Sequence, residues 1–65
     1  MFLLLYNIGE FHQMKSNYRK SLQKNDWVKI VEREKRGKDT YVTIEDRNGV
    51  LYTNVSVKKL RRKAR

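Results

Sequence analysis

A chain of 65 residues has room for one small domain, and such a chain buries only about 60% of the surface it exposes when unfolded. With no cysteine there is no disulfide or thiolate metal site to reinforce that core, and the single His12 makes no zinc site alone. The formal charge of +9 is large for this length and directs attention to anionic partners.

Residues 1–13 open with the apolar run MFLLLY. The run is far short of the ~20 residues that span a bilayer, and it lacks the positive region and small-residue cleavage site of a secretory signal. Two readings stand. In one, residues 2–8 add an extra strand at a sheet edge. In the other, residues 1–13 are a non-native leader ahead of Met14, because codons for Ile8-Gly9-Glu10 can spell a bacterial ribosome-binding site.

Residues 14–25, MKSNYRKSLQKN, place Met14, Tyr18 and Leu22 at i, i+4 and i+8, the spacing of a short amphipathic helix that Ser16 would cap. A basic extended arm is the rival. Residues 26–33 alternate as a strand, with Val28 and Ile30 on one face and Trp27, Lys29 and Val31 on the other. Residues 34–39 read as a charged loop in which Gly37 supplies positive φ.

The strongest fold signal is Asn48-Gly49, flanked by alternating runs at 40–46 and 50–57. A two-residue loop sets Val42 opposite Val55 and Asp46 opposite Leu51. It turns Val42, Ile44, Leu51, Val55 and Val57 inward, and Tyr41 and Tyr52 outward. A three-residue loop, Arg47-Asn48-Gly49, is the competing reading and requires a bulge to bring Val55 back to the core. Residues 57–60 predict a 3₁₀-like turn that drops Leu60 into the core. Residues 61–65, RRKAR, predict a mobile tail.

The expected core is Leu22, Val28, Ile30, Val42, Ile44, Leu51, Val55, Val57 and Leu60. Three strands enclose it only if the sheet coils strongly, so the fold class is mainly β: a small, curled antiparallel sheet closing toward a barrel, with a short basic N-terminal helix or arm. Residues 14–60 form its single domain.

Asp26, Val28, Lys29, Ile30 and Val31, followed by Arg36-Gly37-Lys38, a second strand, a turn and a third strand ending in basic residues, resemble an SH3-like small barrel of the KOW type. The likeness covers about residues 25–60. Where that family carries a glycine before the aspartate, this chain has Asn25. The resemblance implies binding to RNA, DNA or proteins of the transcription and translation machinery.

Charge is segregated along the chain. Lys15, Arg19, Lys20 and Lys24 occur in 14–25 without an acid, and Lys58, Lys59, Arg61, Arg62, Lys63 and Arg65 occur in 58–65 without one, while acids and bases balance between them. Cationic ends on a neutral body suit a polyanion. Lys15, Arg19, Lys20, Lys24, Lys29, Arg36, Lys38, Lys58, Lys59, Arg61 and Arg62 are the expected phosphate contacts, and Tyr41 and Tyr52 the expected base-stacking rings, with Trp27 a third. The expected function is binding of RNA or single-stranded DNA. The alternative is a small phage- or mobile-element-type module or inhibitor that docks on an acidic host protein.

No nucleophile–base pair, Gly-rich phosphate loop or metal spacing is present, so neither an enzyme nor a cofactor is expected. The carboxylates Glu32, Glu34, Asp39, Glu45 and Asp46 read as solvated charges. Absence of cysteine fits a reducing, cytoplasmic setting, and no membrane partner is expected.

Overall fold

The computed structural model describes residues 6–65. Four strands, β1 (Phe11–Gln13), β2 (Trp27–Arg36), β3 (Asp39–Glu45) and β4 (Leu51–Ser56), form one antiparallel sheet in the order β1-β2-β3-β4. The sheet is open. A 3₁₀ turn, Val57–Lys59, follows β4, capped by Ser56, whose hydroxyl accepts from Lys58 N. No helix among the described residues is long and apolar enough to cross a membrane.

The N-terminal segment supplies an edge strand to the sheet. Strand β1 lies at 11–13, C-terminal to the 2–8 expected for the extra strand, and residues 2–5 of that predicted strand lie outside the described residues. Tyr6 and His12 are buried, so the stretch proposed as a leader contributes to the core. The His12 ring is 1% exposed. Its Nδ1 donates to the Arg61 carbonyl at 2.7 Å, since a carbonyl can only accept, and its Nε2 lies 3.3 Å from Glu10 Oε1.

Residues 14–25 form no helix. They leave and return as a closed loop: Met14 N donates to Asp26 O and Asn25 N to Met14 O, and a tight turn joins Arg19 to Leu22. The apolar stripe is still satisfied, because the loop folds Met14 and Leu22 into the core and leans Tyr18 against it. Side-chain acceptors take over backbone donors that a helix would have used, with Asn17 Oδ1 accepting from Lys24 N and Asp26 Oδ2 from Gln23 N.

The β2–β3 hairpin is tighter than expected. Glu34 to Arg36 continue the strand, and Arg36 pairs with Asp39 across the two-residue turn Gly37-Lys38. Gly37 adopts φ 59° at the first turn position, as a type II′ turn requires. A bulge at Val31 sets Ile30 opposite Ile44 but Glu32 opposite Thr43. The extra residue inverts the alternation beyond it, so Arg33 shares the inner face with Val42.

The β3–β4 turn follows the three-residue alternative. Asp46 N donates to Val50 O and Gly49 N to Asp46 O, with Gly49 at φ 80°. Ile44 therefore faces Tyr52 and Glu45 faces Leu51, while Val42 still faces Val55. A bulge restores the register within β4, where Asn54 takes φ 55°. The consequence reverses two assignments: Leu51 is 56% exposed, and Tyr52 is buried at 7%. Val57 is only partly buried against the core. Leu22, Val28, Ile30, Val42, Ile44, Val55 and Leu60 are buried as expected, joined by Met14, Tyr6 and Tyr52.

Candidate nucleic-acid interface

The two cationic stretches, separated by more than thirty residues in sequence, meet in space. After the 3₁₀ turn the chain passes alongside β1. Met14 bridges Leu60, Lys15 N donates to Lys59 O at 2.9 Å, and Arg61 N donates to Gln13 O at 2.8 Å. Arg61 Nη2 reaches Asn25 Oδ1 at 2.9 Å, tying the C-terminal stretch to the far end of the 14–25 loop. Asn25 sits at φ 73°, which a glycine would meet most easily and asparagine next.

The C-terminal residues 61–65 lie beside β1. Arg65 N donates to Phe11 O at 2.8 Å, and its guanidinium lies 5.0 Å from the Trp27 ring centroid. Lys15, Arg19, Lys20, Lys24, Lys59, Arg62, Lys63 and Arg65 are all exposed, and none forms an ion pair among the described residues. Lys58 Nζ stands 3.4 Å from Asp39 Oδ1, an exposed pair that binds its partners weakly. The Arg19 guanidinium lies 5.3 Å over Tyr18.

The other expected contacts lie elsewhere. Lys29 is exposed on the outer sheet face, in a row with Phe11, Glu45 and Leu51. Arg36 belongs to the β2–β3 hairpin. Its Nε donates to Glu34 Oε1 at 2.7 Å, its Nη2 donates to Asn54 Oδ1 at 2.7 Å, and its guanidinium covers the Tyr41 ring at 4.8 Å. The Arg36 hydrogen bond holds the Glu34 carboxyl below its ordinary range. Tyr41 is thus already stacked, and Lys38 projects from the turn beside it.

Tyr52 is the clear correction. Its ring meets Tyr18 edge-on with centroids 6.1 Å apart, its hydroxyl donates to Asp46 Oδ2 at 3.0 Å, and Ser21 Oγ lies 3.0 Å from that same hydroxyl. Buried in this way it presents no face to a base. Asp46 also accepts from Asn48 N at 2.8 Å and Val50 N at 3.0 Å through Oδ1. Burial pushes the Asp46 carboxyl upward, but the Val50, Asn48 and Tyr52 hydrogen bonds outweigh it and hold the carboxyl below its usual range.

What the sequence understated is a cleft between residues 21–27 and the Asp46–Arg47 corner. Trp27 and Leu22 supply apolar walls, and Ser21, Asn25, Asp26, Asp46 and Arg47 complete the lining. The signal was Trp27 directly after the Asn25-Asp26 turn. No cluster of metal-ligating side chains occurs among the described residues. No family model, curated protein or solved structure matches this chain.

Proposed function

We propose that this protein binds single-stranded nucleic acid, RNA or DNA, through one cationic face built from the 14–25 loop and the C-terminal stretch. The observation that carries the reading is the joining of these two acid-free segments by the Lys15–Lys59 and Arg61–Asn25 hydrogen bonds. A face of unpaired Lys and Arg is suited to a phosphate backbone, whose spaced charges release counterions when neutralised. The β2-β3-β4 hairpin order, the Asn25 turn and the bridge between Leu60 and Met14 are also in keeping with an SH3-like small barrel of the KOW type.

A second reading draws on the outer face, where Phe11 and Leu51 are exposed at the two ends of one row across the sheet. Those side chains suit docking on a protein, as a small phage- or mobile-element-type module or inhibitor would dock on an acidic host protein. Affinity capture from cell extract with and without nuclease separates the two. Recovery of nucleic acid, together with direct binding of a purified oligonucleotide, supports the first reading. Recovery of one protein regardless of nuclease, with no oligonucleotide binding, replaces it by the second.

A further inference from the structure

We propose that the cleft at Trp27 holds an unpaired nucleobase of the bound strand, stacked on the indole, with Arg47 on an adjoining phosphate. The inference rests on the nucleic-acid reading and names where the strand is gripped by its bases. Among the aromatic rings expected to stack, Tyr52 is buried, and Tyr41 lies under an Arg36 that Glu34 and Asn54 hold in place. Trp27 instead lines a cleft with Leu22, and the arginine over it, Arg65, forms no ion pair among the described residues. The cleft is lined by apolar Trp27 and Leu22, and Ser21 and Asn25 add polar side chains to the lining.

Two carboxylates and one arginine line the cleft, and both carboxylates are engaged within the fold. Asp46 accepts from Asn48, Val50 and Tyr52, and Asp26 accepts from Gln23 N through Oδ2. Arg47 is exposed and forms no ion pair among the described residues, and Arg65 stands over the indole. The cleft also adjoins the cationic face directly, because Asn25, one of its lining residues, is the residue that Arg61 holds. A strand whose phosphates follow that face therefore passes the cleft mouth. An aromatic platform beside cations is the arrangement by which single strands are bound without reading sequence.

Trp27 is the one tryptophan of the chain, so its emission reports on the cleft alone. Purified protein is titrated with short oligo(dT), oligo(U) and inorganic polyphosphate, with occupancy followed separately by calorimetry. Quenching by either oligonucleotide, absent with polyphosphate at equal occupancy, is the expected result. Trp27→Leu should then weaken oligonucleotide binding roughly 5- to 150-fold while leaving polyphosphate binding unchanged, which also shows that the variant is folded. Arg47→Ala should weaken both ligands.

Oligonucleotide binding with unaltered emission would overturn the cleft assignment and leave the cationic face standing. So would equal quenching by polyphosphate, which would mean that an anion merely displaces Arg65 from the ring. Absence of oligonucleotide binding at any occupancy would remove the nucleic-acid reading and this inference together.

Discussion

Tyr52 donates its hydroxyl to Asp46 at 3.0 Å, six residues back across the β3–β4 turn, and Asp46 receives two backbone N–H groups of the same turn. One buried ring and one carboxylate thereby select the three-residue loop over the two-residue one. Tyr52→Phe keeps the ring but removes the donor to a charged acceptor, so it should cost about 1.5–3 kcal/mol. In a domain of this size each kcal/mol lowers the melting temperature by about 4–8 °C. An outward-facing tyrosine would show no change in a thermal melt.

The same carboxylate gives a pH dependence of definite sign. Folding lowers the Asp46 pKa, so between its folded and unfolded values the unfolded chain holds more protons. Its contribution to stability is complete above the unfolded aspartate value, roughly pH 3.9, and disappears as pH falls through the folded value. Glu10, held down first by the Asn7 backbone N–H, and Glu34 add dependences of the same sign. Urea midpoints of wild type and Asp46→Asn, measured from neutral to acid pH, should converge as pH falls. A constant gap between them would mean that the charge of Asp46 contributes nothing.

Asn54 and Gly49 carry the backbone cost of this hairpin, at φ 55° and 80°. A β-branched residue is strained in that region, so Asn54→Val and Gly49→Val should each destabilise by about 1–3 kcal/mol. Space does not limit position 49, where an added Cβ meets nothing within 4 Å, so the loss there is conformational. Asn54→Gly should be close to neutral apart from the lost Arg36 hydrogen bond. Equal melting temperatures for the Val and Gly variants at position 54 would remove the bulge as an energetic feature.

These positions also mark where the sequence stopped being legible. Period-two alternation located β2, β3 and β4 within a few residues and found five core side chains, Val28, Ile30, Val42, Ile44 and Val55, because burial on one face imposes that pattern. Bulges erase the pattern locally. At Val31 and Asn54 one extra residue inverts inside and outside, which sent Arg33 inward, Leu51 outward and Tyr52 into the core. Met14, Tyr18 and Leu22 have helical spacing, yet a loop buries the same side chains, since spacing records which residues are buried and not the path between them. The cationic face was legible as two segments, and their adjacency was not, because it depends on long-range pairing such as Met14 with Leu60.

Arg33 is the side chain the bulge left worst placed. Its Nε is the buried side-chain polar atom with no hydrogen-bond partner among the described residues. An unpaired buried donor costs about 1–3 kcal/mol, and methionine retains much of the apolar stem without that group. Arg33→Met should therefore raise the melting temperature or leave it unchanged, in contrast to most substitutions at a partly buried site. A fall of more than about 4–8 °C, equivalent to 1 kcal/mol, would show that the guanidinium makes a stabilising contact.

Salt dependence tests the cationic face as a unit. If about five of its side chains meet phosphates, log K for a single strand should fall against log salt with a slope near −3.5, since each contact contributes about 0.7. Lys59, Arg62 and Lys63 are exposed and unpaired among the described residues, whereas Arg61 is engaged by Asn25 and serves the fold as well. Replacing Lys59, Arg62 and Lys63 together by glutamine should reduce the steepness by about 2. Lys35→Gln, on β2 and outside both acid-free stretches, should leave the slope unaltered. Lys35 therefore serves as the control for net charge: a general attraction to a +9 protein predicts that every lysine counts alike, whereas a bounded face predicts that position decides. Slopes that fall in proportion to total charge, irrespective of which residues are changed, would reject the face.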